Sequence, residues 1–192
     1  MTESVRTAAA EKAPGGAAHG ARLVMVVLAL AAGFALVPRL TASCGKVSGD
    51  EDGADFTASV IANPIEPGQK TMTLSALRGH PVILDFWATW CGPCQAEATI
   101  INSIAQRFKD RGLVVIGVNT SDASGRTLAP AFAARKGLTF PIVFDEDDGI
   151  AHKYRVDNLP TLVVLNKEGK IVAVRRGVTS DADLERLVRQ VL

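Results

Sequence analysis

The chain has 192 residues, 47% of them hydrophobic and 21% charged, with 21 Lys and Arg against 20 Asp and Glu. That length suits one domain of ordinary size, and a net charge of +1 without a run of basic residues leaves little to neutralise a row of phosphates, which sets nucleic acid aside. Apolar content this high excludes a collagen-like or wholly disordered chain, and the 3 cysteines are too few for a multi-disulfide scaffold.

Residues 1–22 are rich in Ala and Gly, show no apolar periodicity and read as a disordered tail. An unbroken apolar run, Leu23 to Val37, comes next, inside a hydrophobic segment spanning 23–40. At about 15 residues it is short for a spanning helix and long for the apolar core of a signal peptide. Arg22 and Arg39 can reach the headgroups from either end, so a retained anchor is feasible in a slightly thinned bilayer. Two alternatives stay open: a lipid on Cys44, whose preceding Leu40-Thr41-Ala42-Ser43 loosely resembles a lipobox, and a cleaved signal. In each case the chain beyond about residue 44 is expected on the far side of the membrane. Residues 41–54 end in an acidic, glycine-containing stretch that reads as a tether, and the domain proper is expected over 55–192.

From Asp55 short strands and helices alternate. Val82–Trp87 and Leu113–Asn119 are nearly continuous apolar runs, as expected of strands covered on both faces. Between them, Pro93 to Lys109 carries Ile100, Ile101, Ile104, Ala105 and Phe108 on one helical stripe, and this crossover makes the two strands parallel. A second helix is expected over Arg126–Lys136, ending at Gly137, and Ile142–Phe144 adds a strand. Thr161–Leu165 and Lys170–Val174 flank the turn Asn166-Lys167-Glu168-Gly169 and must be antiparallel. Ser180 caps a last helix to Leu192. The sum is an α/β sandwich with a mixed central sheet flanked by helices.

Trp90-Cys91-Gly92-Pro93-Cys94 falls between a buried strand and a helix. At a helix N-terminus the unpaired N–H groups and the dipole stabilise a thiolate, lowering the pKa of Cys91 from about 8.5 toward 7 or below. Pro93 suits the first turn because the donor it lacks would have no partner there. Cys94, shielded within that turn, can attack a mixed disulfide on Cys91, so Cys91 reads as the exposed nucleophile and Cys94 as the resolving thiol. Half of a zinc site is the bland alternative, but there is no second pair, and His19, His80 and His152 lack ligand spacing. No metal or cofactor beyond the dithiol is implied.

The stretch Asp85-Phe86-Trp87-Ala88-Thr89-Trp90-Cys91-Gly92-Pro93-Cys94 resembles the active site of thioredoxins, and Leu159-Pro160-Thr161 resembles their cis-proline loop. Within that superfamily the chain is most similar to the membrane-tethered TlpA/ResA-like thiol-disulfide oxidoreductases. The likeness lies in the Thr73–Gly79 lead-in, in Glu97 one turn beyond Cys94, and in an added segment of roughly 30 residues after Asn119. The resemblance implies a thioredoxin-like fold and a cis Pro160 packed on the cysteines. It also implies that the backbone of Leu159 pairs with substrate polypeptide in strand fashion. Trp90, Gly92 and Pro93 would border that groove. It further implies that Asp85 is the base for Cys94. The sequence itself agrees to this extent, that a carboxylate amid an apolar strand needs a raised pKa. Where thioredoxin has a lysine facing that acid, this chain has Gly117, so Glu97 could share or take over the proton work. The other reading of Glu97 is a solvated first-turn acid favoured by the dipole, and that of Asp85 a tolerated buried acid.

Asp145-Glu146-Asp147-Asp148-Gly149 lacks the spacing of a calcium loop and reads as a solvated turn. The function expected is reduction of protein disulfides outside the cytoplasm. By resemblance the client is apocytochrome c, and a membrane thiol transporter supplies the electrons. A thiol peroxidase would need Thr or Ser three residues before the cysteine, where Ala88 stands, and a non-catalytic membrane-tethered binding or chaperone module is the rival of another class.

Overall fold

The computed structural model describes residues 51–192. The tail, the apolar run Leu23–Val37, Cys44 and most of the tether lie outside the described residues. Among those described, no helix is long and apolar enough to cross a membrane.

Seven strands form one sheet: β1 (Thr57–Ala62), β2 (Thr71–Thr73), β3 (Val82–Trp87), β4 (Val114–Asn119), β5 (Ile142–Phe144), β6 (Thr161–Leu165) and β7 (Ile171–Arg176). Their order is β2-β1-β5-β4-β3-β6-β7. The core triplet β5-β4-β3 is parallel, and β6 joins β3 antiparallel. The mixed sheet is therefore as expected. The helices are α1 (Gly92–Phe108), α2 (Gly125–Lys136), α3 (Gly149–Lys153) and α4 (Asp181–Val191).

Alternation along β3 divides the core. Ile83 and Trp87 face one layer with the inner faces of α1, α2 and α4, among them Ile101, Ile104, Phe132 and Leu184. Leu84 and Phe86 face the other, against Phe56, Leu74 and Tyr154. Every residue of β3 is buried, which explains its unbroken apolar run. Asp85 is the polar intruder.

Three features depart from expectation. The hairpin-like pair β1 and β2 extends the sheet beyond β5, although its Thr, Ser and Ala residues give only a weak apolar alternation. Glu51–Ala54 are docked on the sheet: the Ile171 N–H donates to the Glu51 carbonyl (2.8 Å), the Gly53 N–H to that of Gly169 (2.9 Å), and the Tyr154 hydroxyl to that of Ala54 (2.9 Å). Hydrogen-bonded structure thus begins before Asp55. The acidic stretch 145–149 is solvated only at Glu146 and Asp147. Asp145 is buried and accepts from the Ile150 and Ala151 N–H groups and the Thr120 hydroxyl, and Asp148 holds Thr120 and Ser121. These bonds tie the end of β4 to the start of α3. The carboxylates fill places that backbone donors would otherwise leave unsatisfied.

β6 and β7 turn at Asn166–Gly169, where Gly169 has φ +75°. That turn and the docked Glu51–Ala54 lie at one end of the sheet. The C-terminal ends of β3 and β4, where the site is built, lie at the other.

Candidate active site

The all-buried strand β3 ends at Trp87, and Ala88–Trp90 lead into α1. Cys91 is the N-cap of that helix, and its Sγ accepts from the Cys94 N–H at 3.2 Å. Gly92 and Pro93 form the first turn. Cys91 and Cys94 are joined in a disulfide with Cα atoms 5.3 Å apart. The N–H that meets Sγ here is the donor that would stabilise a Cys91 thiolate once the bond is opened. One expectation needs correction. In the disulfide state Cys91 is 3% exposed and Cys94 4%, so the two are covered alike. The asymmetry lies in position along the helix, not in accessible area.

Trp90, by contrast, is 64% exposed beside the disulfide. Its loop is held rigidly: the Trp90 Nε1–H donates to the Ser121 carbonyl (2.8 Å), the Thr89 N–H to Asp122 Oδ2 (2.6 Å), and the Gln95 amide to the Thr89 carbonyl (2.8 Å). Burial raises the pKa of Asp122, but the Thr89 N–H and the Asn119 amide outweigh it and hold the carboxyl below its ordinary value. Sequence reasoning missed Asp122. It lies just past β4, in the added segment, and only the fold brings it to the loop before Cys91.

The Leu159–Pro160 peptide is cis, and Pro160 is buried. Leu159 packs against the cluster that contains both cysteines. The Pro160 carbonyl accepts from the Gly177 N–H (2.8 Å), and the Thr161 hydroxyl caps the Asn158 carbonyl (2.8 Å). The Leu159 N–H and C=O make no hydrogen bond with the described residues. They are open to pair with another chain.

Two buried acids lie on the elements that frame the disulfide, Asp85 on β3 and Glu97 on α1. Burial pushes the Asp85 carboxyl well above its ordinary pKa, and the nearby charge of Glu97 adds to this. Glu97 is wholly buried, which overturns the solvated reading. Its Oε1 accepts from the Thr179 N–H at 2.6 Å, and its Oε2 has no partner. Burial raises the pKa of Glu97 too, while the Thr179 bonds oppose that rise. Both carboxyls are thus harder to ionise than a solvated acid, Asp85 the more so because Glu97 is near it. Gly117 sits opposite Asp85 in the sheet register. A Cβ there would meet the Trp87 Nε1 and the Phe140 ring at 3.1 Å each, so any side chain at 117 would have to push these two rings aside. Among the described residues no group of His, Cys, Asp or Glu could hold a metal ion.

Residues 51–174 match the AhpC/TSA family. The ResA thiol-disulfide oxidoreductase of Bacillus subtilis is 30% identical over 159 residues, covering 83% of this chain and 84% of that protein. The chain belongs to the AhpC/TSA family, among the ResA-like thiol-disulfide oxidoreductases. A ResA from Geobacillus kaustophilus is 37% identical over 113 residues, a match that spans 59% of this chain and 64% of the relative. In solved structures the chain is similar to a Chlorobium tepidum protein assigned as the thiol:disulfide interchange protein DsbE. That match has a TM-score of 0.65 at 26% identity and covers 73% of this chain and 95% of the other. A secreted thiol-disulfide isomerase from Corynebacterium glutamicum superposes with a TM-score of 0.63 at 26% identity over 72% of this chain and 83% of its own. The oxidoreductase expected from the Cys91–Cys94 pair agrees with the name that these ResA relatives carry. Ala88, three residues before Cys91, is buried and has no hydroxyl to offer a peroxide.

Proposed function

We propose that this oxidoreductase reduces disulfides of polypeptide clients outside the cytoplasm, and that the observation carrying this reading is the Cys91–Cys94 pair at a helix N-terminus beside the open backbone of Leu159. A client strand pairs with Leu159 and covers Trp90, which sets its sulfur against Cys91. The Cys91 thiolate attacks one client sulfur, the client S–S bond breaks, and the other client sulfur leaves as a thiolate. Cys94 then gives its proton to the Asp85–Glu97 pair and attacks Cys91 Sγ. The bond between Cys91 and the client breaks, and the second client sulfur leaves and is protonated. Two electrons and the Cys94 proton pass from the dithiol to the client, and water protonates the client thiolate that left first.

The Gly92-Pro93 dipeptide has no histidine to stabilise the Cys91 thiolate further, which favours a low potential and hence reduction. In an oxidising compartment a reductase must be recharged, so a membrane thiol transporter is the donor that fits, with the N-terminal segment or a lipid on Cys44 keeping the domain at the membrane. Apocytochrome c awaiting haem attachment is the client class that the ResA likeness favours. An insulin-reduction assay run beside a hydrogen-peroxide assay tests the reaction: turnover of insulin without peroxide turnover is expected, and the reverse would make the protein a peroxidase. Full activity of Cys91→Ser would instead mark a non-catalytic binding module. A Cys94→Ser variant should trap the client as a mixed disulfide for identification.

A further inference from the structure

Gly177–Thr179 join the end of β7 to Ser180, the cap of α4, and each of the three residues has a different contact. Gly177, at φ +80°, donates its N–H to the Pro160 carbonyl at 2.8 Å. Val178 is 54% exposed, one of four large apolar side chains so exposed among the described residues. Thr179 is buried and gives Glu97 Oε1 its hydrogen bond at 2.6 Å. A single short loop therefore holds the peptide beside the open Leu159 backbone with one amide and the carboxyl one turn beyond Cys94 with another.

We propose that this loop is a positioning element that couples client docking to resolution. A polypeptide strand that pairs with Leu159 and covers Val178 shifts Gly177–Thr179 and loosens the Thr179–Glu97 hydrogen bond, so that Glu97 takes the Cys94 proton when a polypeptide occupies Cys91. The coupling rests on the proposed pairing of a client strand with Leu159.

The physical case is the one-sidedness of Glu97. Its Oε2 has no partner, so the groups that favour its ionised form, the N–H and the side chain of Thr179, both come from this one loop residue. A carboxylate that loses such a donor in a buried site becomes a stronger base. The groups facing it are few. Asp85 approaches from β3, Cys94 lies on its own helix, and the loop offers only the neutral Thr179. The acids of the first turn of α4 are occupied elsewhere, Asp181 by Arg107 and Asp183 by Ser180 and Arg186. Val178 is placed to feel a client because it is the exposed residue between the two amides. A small thiol on Cys91 has no peptide backbone with which to pair along Leu159 and no side chain to lay across Val178.

The coupling is read by rapidly mixing the reduced full-length protein with an activated disulfide of either a cysteine-containing extended peptide or 2-mercaptoethanol, and following Cys94-dependent release of the thiol against pH. The peptide mixed disulfide should resolve with a pH midpoint displaced by about one unit from that of 2-mercaptoethanol. In Thr179→Pro, which lacks the N–H, the two midpoints should coincide. The solvent-facing change Val178→Ser should lower the ratio of peptide to 2-mercaptoethanol resolution rates by about fivefold, as loss of one apolar contact implies. Identical midpoints for the two mixed disulfides in the unaltered protein, or equal slowing of both by Val178→Ser, would overturn the coupling, whether or not Thr179→Pro folds. Both mixed disulfides form by chemical exchange, so failure to reduce insulin would defeat the proposed function while leaving this readout standing.

Discussion

At the scale of single residues the chemistry turns on where charge is tolerated. Cys91 Sγ already meets the Cys94 N–H, so in the reduced protein Cys91 should alkylate first below neutral pH. Mass mapping of the labelled peptide checks this, and prior labelling of Cys94 would reverse the roles. Asp85 makes a different kind of prediction. Its folded pKa is raised, so between the unfolded value near 3.9 and the folded one the native state holds a proton that the unfolded chain has lost, and stability falls as pH rises through that window. Asp85→Asn should abolish that part of the pH dependence and leave stability at pH 7 equal or higher while slowing resolution. Urea titrations at several pH values, with single-turnover rates, separate the two. A large stability loss at unchanged rate would make Asp85 structural. Asp122 has the opposite sign. Its pKa is depressed, so its contribution is present above the unfolded value and lost as pH falls through the folded one. Asp122→Ala leaves the Thr89 N–H and the Asn119 amide without their acceptor and should cost about 1–3 kcal/mol, with freer Trp90 fluorescence anisotropy.

At the scale of elements, the helix ends carry most of what could be read in advance. Ser180 accepts from the Asp183 N–H at 3.2 Å, as its place before an acidic first turn implied. Ser180→Ala should cost about 1 kcal/mol, seen as a lower denaturant midpoint at unchanged slope. β3, β5 and β6 have the bounds that their apolar runs suggested, because strands buried on both faces are apolar along nearly their whole length, Asp85 and Thr161 being the polar exceptions. β1 and β2 were not legible. β1 is held by pairing with β5, a partner far along the chain, and β2 by pairing with β1, and not by the hydrophobicity of their Thr, Ser and Ala positions. Gly117 belongs at this scale too. Trp87 and Phe140 close over it from β3 and from the approach to β5, so Gly117→Lys should overpack the layer and destabilise by about 1–3 kcal/mol, sparing only variants that also shrink residue 140.

For the whole molecule the decisive quantity is the reduction potential, since one fold serves oxidants and reductants. Equilibration with glutathione and dithiothreitol buffers should place the Cys91–Cys94 couple near roughly −270 mV; a value above about −180 mV would mean that the protein oxidises or isomerises its clients. The sequence by itself determined the fold class, the dithiol and its helix-end setting, because those depend on local patterns: a buried strand, a CxxC pair, a proline at a helix start. It could also present Asp85 as an acid needing an explanation, since the cost of a buried carboxylate follows from its apolar neighbours in the chain. Only the tertiary structure decided the rest. Whether Glu97 met water or protein depended on Thr179, 82 positions away, and the rigidity of the Trp90 loop on Asp122, 33 positions from the amide that it holds. A polar side chain carries no mark of its distant partner in its own sequence. Desolvation and hydrogen bonding are set by what the fold packs around it.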